Sequence, residues 1–93
     1  MNEEMVGFFK ALASENRQQI MLLFLNGKER TVNEIAEAVG LGQSTASEQL
    51  AVLKRAGLLS SKKVGKEVYY RPDKANIQRM LGMLSDFLNR CCD

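Results

Sequence analysis

Residues 41–59 read LGQSTASEQLAVLKRAGLL, and this stretch decides the fold. Its second half has the apolar spacing of an amphipathic helix, with Ala46, Leu50 and Leu53 on one face. Its first half places small or uncharged polar side chains on the same predicted helix, at positions 43, 44, 45, 47 and 49. Because Glu, Lys or Ala would form a more stable exposed helix than Ser and Thr, these residues call for a functional explanation.

Upstream of this stretch, capping residues and glycines divide the chain into three shorter helices. The first helix is predicted over residues 3–13, and the second follows an N-cap at Ser14 and ends at Asn26-Gly27. The third begins with a capping box of Thr31 and Glu34 and ends at Gly40. The fourth helix starts near residue 43 or 44, directly after a tight turn.

Downstream, the period of the sequence changes after Gly57 ends the fourth helix. Residues 59–71 predict a β-hairpin that turns near Val64–Lys66 and is closed by Pro72, and residues 73–90 predict a last helix. The order is therefore α-α-α-α-β-β-α, mainly helical with one hairpin. Two helices joined by a tight turn and followed by a basic hairpin predict a single winged helix-turn-helix domain over residues 1–93.

Composition and charge narrow the function. The net charge is +2, but residues 1–42 carry −2 and residues 43–93 carry +4. This uneven charge indicates either a polyanionic partner for the second half or only an unevenly charged solvated surface. The chain has no histidine, no nucleophile elbow and no phosphate-binding glycine loop, so we do not expect an enzyme. It also shows neither a membrane-spanning stretch nor a basic signal sequence, which predicts a cytoplasmic protein with no membrane partner.

The polar stretch suits a helix that lies in the major groove of DNA. Such a helix presents its N-terminal residues to base edges, where Gln pairs with adenine and Ser or Thr serves either partner. The alternative is that residue 43 or 44 only caps the helix and that the others form a solvated face, but a cap accounts for one residue. The predicted direct contacts are Gln43, Ser44, Thr45, Ser47 and Gln49. Lys54 either contacts a backbone phosphate or is simply exposed.

The predicted hairpin carries three lysines near its turn, two before Gly65 and one after it. Lys62, Lys63 and Lys66 suit phosphates beside the minor groove. A charged edge strand that resists aggregation would look the same, and the two roles are compatible.

Two segments of the chain resemble the ArsR/SmtB family of winged-helix repressors. They are ALASENRQQIMLLFL at residues 11–25 and TVNEIAEAVGLGQSTASEQLAVLKRAGLLSSKKVGKEVYYR at residues 31–71. The resemblance implies a homodimer that binds operator DNA and releases it on a chemical signal. It also implies that positions 43, 44, 47 and either Glu48 or Gln49 meet DNA. Glu48 departs from the Arg, His or Gln common in the family. It either accepts a hydrogen bond from cytosine or turns outward.

Wide apolar stripes on the first and last helices support a dimer independently, because a chain of 93 residues cannot readily cover them. The predicted dimerisation residues are Met5, Phe8, Phe9, Met80, Leu84 and Phe87. A two-fold dimer would place its two recognition helices about 34 Å apart, which matches a palindromic operator in double-stranded DNA.

The sensing sites that the resemblance implies lack their ligands here. The thiolate site of the third helix falls on Thr31–Asn33, and the zinc site of the last helix falls on residues 73–90, which contain no histidine. We therefore predict neither metal site. Cys91 and Cys92 remain as a sensor for As(III), Cd(II) or Cu(I), or for oxidation, unless they merely finish the helix.

A second hypothesis is a winged-helix protein-interaction module that does not bind DNA. Glu48, Glu67 and the modest overall charge favour it.

Overall fold

The computed structural model describes residues 2–91 and forms one helical domain with a small sheet. The elements, in chain order, are α1 (Glu3–Ala11), α2 (Glu15–Leu22), a 3-10 helix (Leu23–Asn26), β1 (Arg30–Thr31), α3 (Val32–Val39), α4 (Gln43–Arg55), β2 (Leu59–Val64), β3 (Glu67–Pro72) and α5 (Lys74–Cys91). Every predicted helix and the hairpin are present. No helix within residues 2–91 has the length and apolar content to cross a bilayer.

The sheet has one strand more than the sequence predicted. β1 pairs antiparallel with β3, and β3 pairs with β2, so the strand order is β1-β3-β2. β1 spans two residues, too few for any periodicity to show. Within the hairpin, Val64 lies opposite Glu67, and Gly65 begins the two-residue turn with φ +62°. Positive φ at this position is the conformation for which hairpin turns use glycine.

The predicted caps of α2 and α3 are confirmed. The Ser14 hydroxyl accepts from Arg17 N at 3.4 Å, and Thr31 and Glu34 form both hydrogen bonds of the capping box. The second helix is α-helical only to Leu22 and continues as the 3-10 helix, which Gly27 ends with φ +76°, while Gly40 ends α3 with φ +72°. The turn between α3 and α4 is therefore set by local sequence.

The core lies within a single copy of the chain and is formed by all five helices and β2. α4 runs through its centre, because Ala46, Leu50 and Leu53 are each fully buried. Each such leucine stabilises the fold by roughly 1.5–3 kcal/mol. The orientation of α4 is thus fixed by its apolar face, and its opposite face is left to solvent.

Core packing corrects half of the predicted dimerisation set. Met5, Phe8 and Met80 are at most 3% exposed in the single chain, so they offer no surface to a partner. Phe9 and Leu84 are half-buried and Phe87 is exposed. The apolar surface that remains open on α1 and α5 comprises Val6, Leu81, Phe87 and Leu88.

Candidate nucleic-acid interface

The first two turns of α4 form an exposed polar surface. Because successive residues advance by about 100° around a helix, the buried line through Ala46, Leu50 and Leu53 fixes where every other residue points. The residues left on the surface are Gln43, Ser44, Thr45, Ser47 and Glu48. Among residues 2–91 none of these five side chains has a hydrogen-bond partner within the chain. Their donors and acceptors are available to a ligand.

Glu48 lies on the outermost line of this surface. It is two residues from Ala46, which places it about 200° from the centre of the buried face. Ser44 shares that line, one turn earlier. The outward side of α4 is therefore also the side that carries the proposed base-reading residues. Glu48 faces the same ligand as Ser44.

The N-cap of α4 is Gly42, so the alternative that Gln43 or Ser44 caps the helix is wrong. Gly42 has extended φ and ψ of −65° and 154°, and no side-chain cap is present. The first turn of α4 also contains no acidic residue. The first N–H groups of a helix have no partner within it, and they carry the positive end of the helix dipole. This end of α4 therefore favours an anion.

Gln49 differs from its neighbours because its side chain is engaged inside the molecule. Its Oε1 accepts from Arg17 Nη1 at 2.9 Å, and the residue is half-buried. A bidentate contact with adenine needs both the amide oxygen and the amide nitrogen, so Gln49 would have to share its oxygen between Arg17 and the base. The predicted base contact of Gln49 stays a prediction, and the structure adds that its amide oxygen is already bonded to Arg17. Arg17 lies in the segment at residues 11–25 that resembles the family, but nothing in the sequence indicated that its partner is Gln49, 32 positions away.

The tip of the hairpin and the start of α4 border one cleft. It has a volume of about 240 Å³ and is lined by Gln43, by Lys66 and Glu67 at the hairpin tip, and by Val32, Asn33 and Val68. The structure therefore brings together Gln43 and Lys66, which are 23 positions apart in the sequence. A polar helix face and a lysine-bearing hairpin thus share one side of the molecule.

The predicted lysines do not share one environment. Lys54 Nζ donates to Ser61 Oγ at 2.7 Å, which ties α4 to β2 and marks the α4 side of the hairpin. Side chains alternate along a strand, so Lys63 lies on the same side as Ser61. Its cross-strand partner Val68 confirms this, since Val68 lines the cleft beside α4.

Lys62 lies on the other side of the hairpin. Its Nζ is 3.2 Å from Glu29 Oε1, and it borders a separate hollow together with Val64 and Tyr69. The sequence predicted phosphate contacts for all three hairpin lysines, which stay predictions, and the structure adds that the three lysines lie on two different sides of the hairpin. Lys63 and Lys66 lie on the α4 side of the hairpin, whereas Lys62 is paired with the Glu29 carboxylate on the opposite side.

The predicted sensor lies at the end of α5. Cys91 is exposed, and its Sγ lies 3.8 Å from the Leu88 carbonyl oxygen as a hydrogen-bond donor. Cys92 lies outside the described residues. Within residues 2–91, no group of three or more His, Cys, Asp or Glu side chains is placed to hold a metal ion.

Comparison with known proteins places this geometry in a family. The profile of the family described as "Bacterial regulatory protein, arsR family" matches residues 14–61, from the cap of α2 into β2. The HTH-type transcriptional regulator YbzH of Bacillus subtilis is 35% identical over 100 residues, covering 91% of this chain and 95% of the relative. The transcriptional activator HlyU of Vibrio cholerae is 34% identical over 79 residues, covering 85% of this chain and 72% of the relative.

A solved structure agrees over nearly the whole chain. The homodimeric winged helix-turn-helix DNA-binding domain Mb0332 of Mycobacterium bovis has a TM-score of 0.76 and 31% identity, covering 98% of this chain and 83% of that chain. The match therefore includes the helix-turn-helix, the hairpin and both terminal helices.

Proposed function

We propose that this chain, which belongs to the arsR family of bacterial regulatory proteins, reads a palindromic operator as a homodimer through the first two turns of α4. Membership of the family makes it a transcriptional regulator and not an enzyme. The observation that carries the proposal is the exposed, internally unbonded polar surface Gln43–Glu48 beside the lysine-bearing tip of the hairpin.

Each element of this surface has a chemical task on duplex DNA. Gln43 has both amide atoms available for the N6 and N7 positions of adenine, while Ser44 and Ser47 donate to or accept from either base. Glu48 accepts from the N4 amino group of cytosine. Lys63 and Lys66 neutralise phosphates beside the groove, and these contacts set the register of the protein on the duplex.

The open apolar surface on α1 and α5 is the proposed dimer interface. Val6, Leu81, Phe87 and Leu88 are 45–52% exposed, and a second copy would cover them. A two-fold axis through these helices presents α4 twice, about one DNA turn apart. The dimer acts in the cytoplasm as a repressor whose occupied operator blocks transcription.

The signal that releases the repressor is proposed to act on the thiols at the end of α5. Cys91 is exposed beside the proposed interface, so the two copies bring soft sulfur ligands together for As(III) or a similar thiophilic ion. This part is tested by adding arsenite, cadmium or an oxidant to the DNA complex. The wild type should release the DNA, and a Cys91→Ser, Cys92→Ser variant should not.

Base reading is tested by selecting duplexes from a random-sequence pool with the wild-type protein. Gln43→Ala should weaken binding of the selected duplex by about tenfold, because it removes a bidentate base contact, and should leave binding of a random duplex almost unchanged. Titration of both duplexes by fluorescence anisotropy measures the two affinities. An equal loss on both would place base reading elsewhere, and failure of the wild type to select any sequence would favour the protein-interaction module.

The hairpin lysines are tested through the salt dependence of DNA binding. Lys66→Ala should reduce the slope of log K against log salt concentration by about one, since one phosphate contact is removed. Lys62→Ala is the matched control and should change the slope much less, because Glu29 already holds its ammonium group. Equal slopes for the two variants would contradict the division between the two sides of the hairpin.

A further inference from the structure

α1 is joined to α4 near the middle of α4 by Arg17. The Arg17 guanidinium donates from Nε to the Ala11 carbonyl at 2.6 Å and from Nη2 to the Lys10 carbonyl at 3.4 Å, at the C-terminal end of α1. Its Nη1 donates to Gln49 Oε1 at 2.9 Å. One planar group thus binds the C-terminal end of α1 and the end of the second turn of α4, an arrangement we name the Arg17 link.

The other end of α1 reaches the C-terminal end of α4 through α5. Glu4 accepts two hydrogen bonds from Arg79, at 2.9 and 2.5 Å, and Arg79 Nη2 also donates to Asn76 Oδ1 at 2.7 Å. Asn76 Nδ2 then donates to the carbonyl of Gly57 at 2.9 Å. This chain of contacts is the Asn76 link.

Local contacts hold the Asn76 end of this link in place, whereas its Glu4–Arg79 end is half-exposed. Gly57 has φ +86°, and a Cβ at this position would collide with Asn76 Nδ2, so the close approach requires glycine. The Asn76 N–H donates to Asp73 Oδ1 at 3.1 Å, which fixes Asn76 in the first turn of α5. The hydrogen bond from Arg79 lowers the pKa of Glu4, so the carboxylate is charged throughout the neutral range.

We propose that the Arg17 and Asn76 links together set the angle at which α4 is presented to DNA, so that Arg17 and Asn76 are positioning residues for operator recognition. The inference rests on the proposed function. Apolar packing fixes which face of α4 is buried, but it constrains the tilt of the helix less strictly than directional bonds at two points along it. Both links begin on α1, a helix of the proposed dimer interface, so a change in the packing of α1 reaches both.

Two variants break the links without adding bulk. Arg17→Lys keeps the charge but loses the planar fork, and Asn76→Ala removes the amide that bonds Gly57. Each should weaken binding of the selected duplex about fivefold, while binding of a random duplex of the same length should not change. The double variant should lose less than the product of the two, because an already loosened helix has less orientation left to lose.

The controls are exposed glutamines on the same two helices. Gln19→Ala on α2 and Gln78→Ala on α5 should bind both duplexes like the wild type. All titrations are made at a temperature where circular dichroism shows each variant folded, so a loss of stability alone cannot change the ratio of the two affinities. Glu4→Gln weakens the Asn76 link from an exposed position and should lower the ratio about twofold.

The outcomes separate the two proposals. An unchanged ratio in Arg17→Lys and Asn76→Ala, or a parallel loss on both duplexes, would overturn the positioning role while the wild type still selects a sequence. A wild type that selects no sequence would overturn the proposed function, and this inference with it.

Discussion

α3 and α4, the two helices of the helix-turn-helix, begin in opposite ways. At α3, Glu34 N donates to Thr31 Oγ1 at 3.2 Å and Thr31 N donates to Glu34 Oε1 at 2.8 Å, which completes a capping box. At α4, Gly42 offers no side chain and the first turn contains no acid. Only two residues, Leu41 and Gly42, lie between Gly40, the C-cap of α3, and Gln43, the first residue of α4.

The difference separates stability from function within one motif. A capping side chain typically stabilises a helix by about 1 kcal/mol, and it does so by occupying the first N–H groups. At α3 those groups are used to hold the fold. At α4 they stay open beside Gln43 and Lys66, where an anionic ligand can use them.

The strongest way to break this comparison is to cap α4. Gly42 has φ and ψ that suit an N-cap, and a Cβ there would meet no atom within 4 Å, so Gly42→Asp fits without strain. We expect the free energy of unfolding to rise by a few tenths of a kcal/mol and the affinity for the selected duplex to fall about tenfold, because a carboxylate would face phosphate. Urea unfolding and anisotropy titration measure the two effects.

Gly42→Asn is the matched control for charge. It supplies the same cap without the negative charge, so its gain in stability should be similar and its loss of DNA affinity smaller. DNA affinity that rises in Gly42→Asp would mean that the start of α4 faces away from the phosphates.

The sequence predicted features that depend on neighbours along the chain and missed those that depend on distant residues. Gly40, the capping box and the hairpin turn at Gly65 were predicted because each is set within four residues. The Gln49–Arg17 and Glu4–Arg79 contacts span 32 and 75 positions, and no local pattern signals them. For the same reason, a lysine on either face of the hairpin looks alike in the sequence, and only pairing with Glu29 sets Lys62 apart.

The apolar stripes show the same limit. Periodicity identified the apolar faces of α1 and α5 correctly, but it does not say whether a face is covered by the same chain or by a second one. Met5, Phe8 and Met80 are covered within the chain, whereas Phe87 is 46% exposed. The same apolar pattern therefore contains both buried and exposed residues.

A smaller effect is expected where the cap of α3 is removed. Thr31→Ala should lower the free energy of unfolding by about 1 kcal/mol, because Glu34 N loses its partner. The affinity of the folded protein for the selected duplex should stay within about twofold of the wild type, since the Thr31 side chain is buried and offers almost no surface to DNA. A tenfold loss of affinity in this variant, measured at a temperature where it is folded, would show that the start of α3 also takes part in binding.

The smallest effect concerns pH. The hydrogen bond from the Thr31 backbone N–H, supported by the Thr31 hydroxyl, lowers the pKa of Glu34 from its usual value of 4.5. Since the unfolded chain binds a proton at higher pH than the folded one, this contribution to stability is complete above pH 4.5 and is lost as pH falls through the lower folded value. Urea midpoints from about pH 7 to about pH 3 should therefore fall slightly more steeply in the wild type than in Glu34→Gln, whose amide keeps the cap but does not titrate. Parallel curves would mean that Glu34 stabilises α3 through its hydrogen bond and not through its negative charge. The difference between α3 and α4 would then lie only in whether the first N–H groups are hydrogen-bonded.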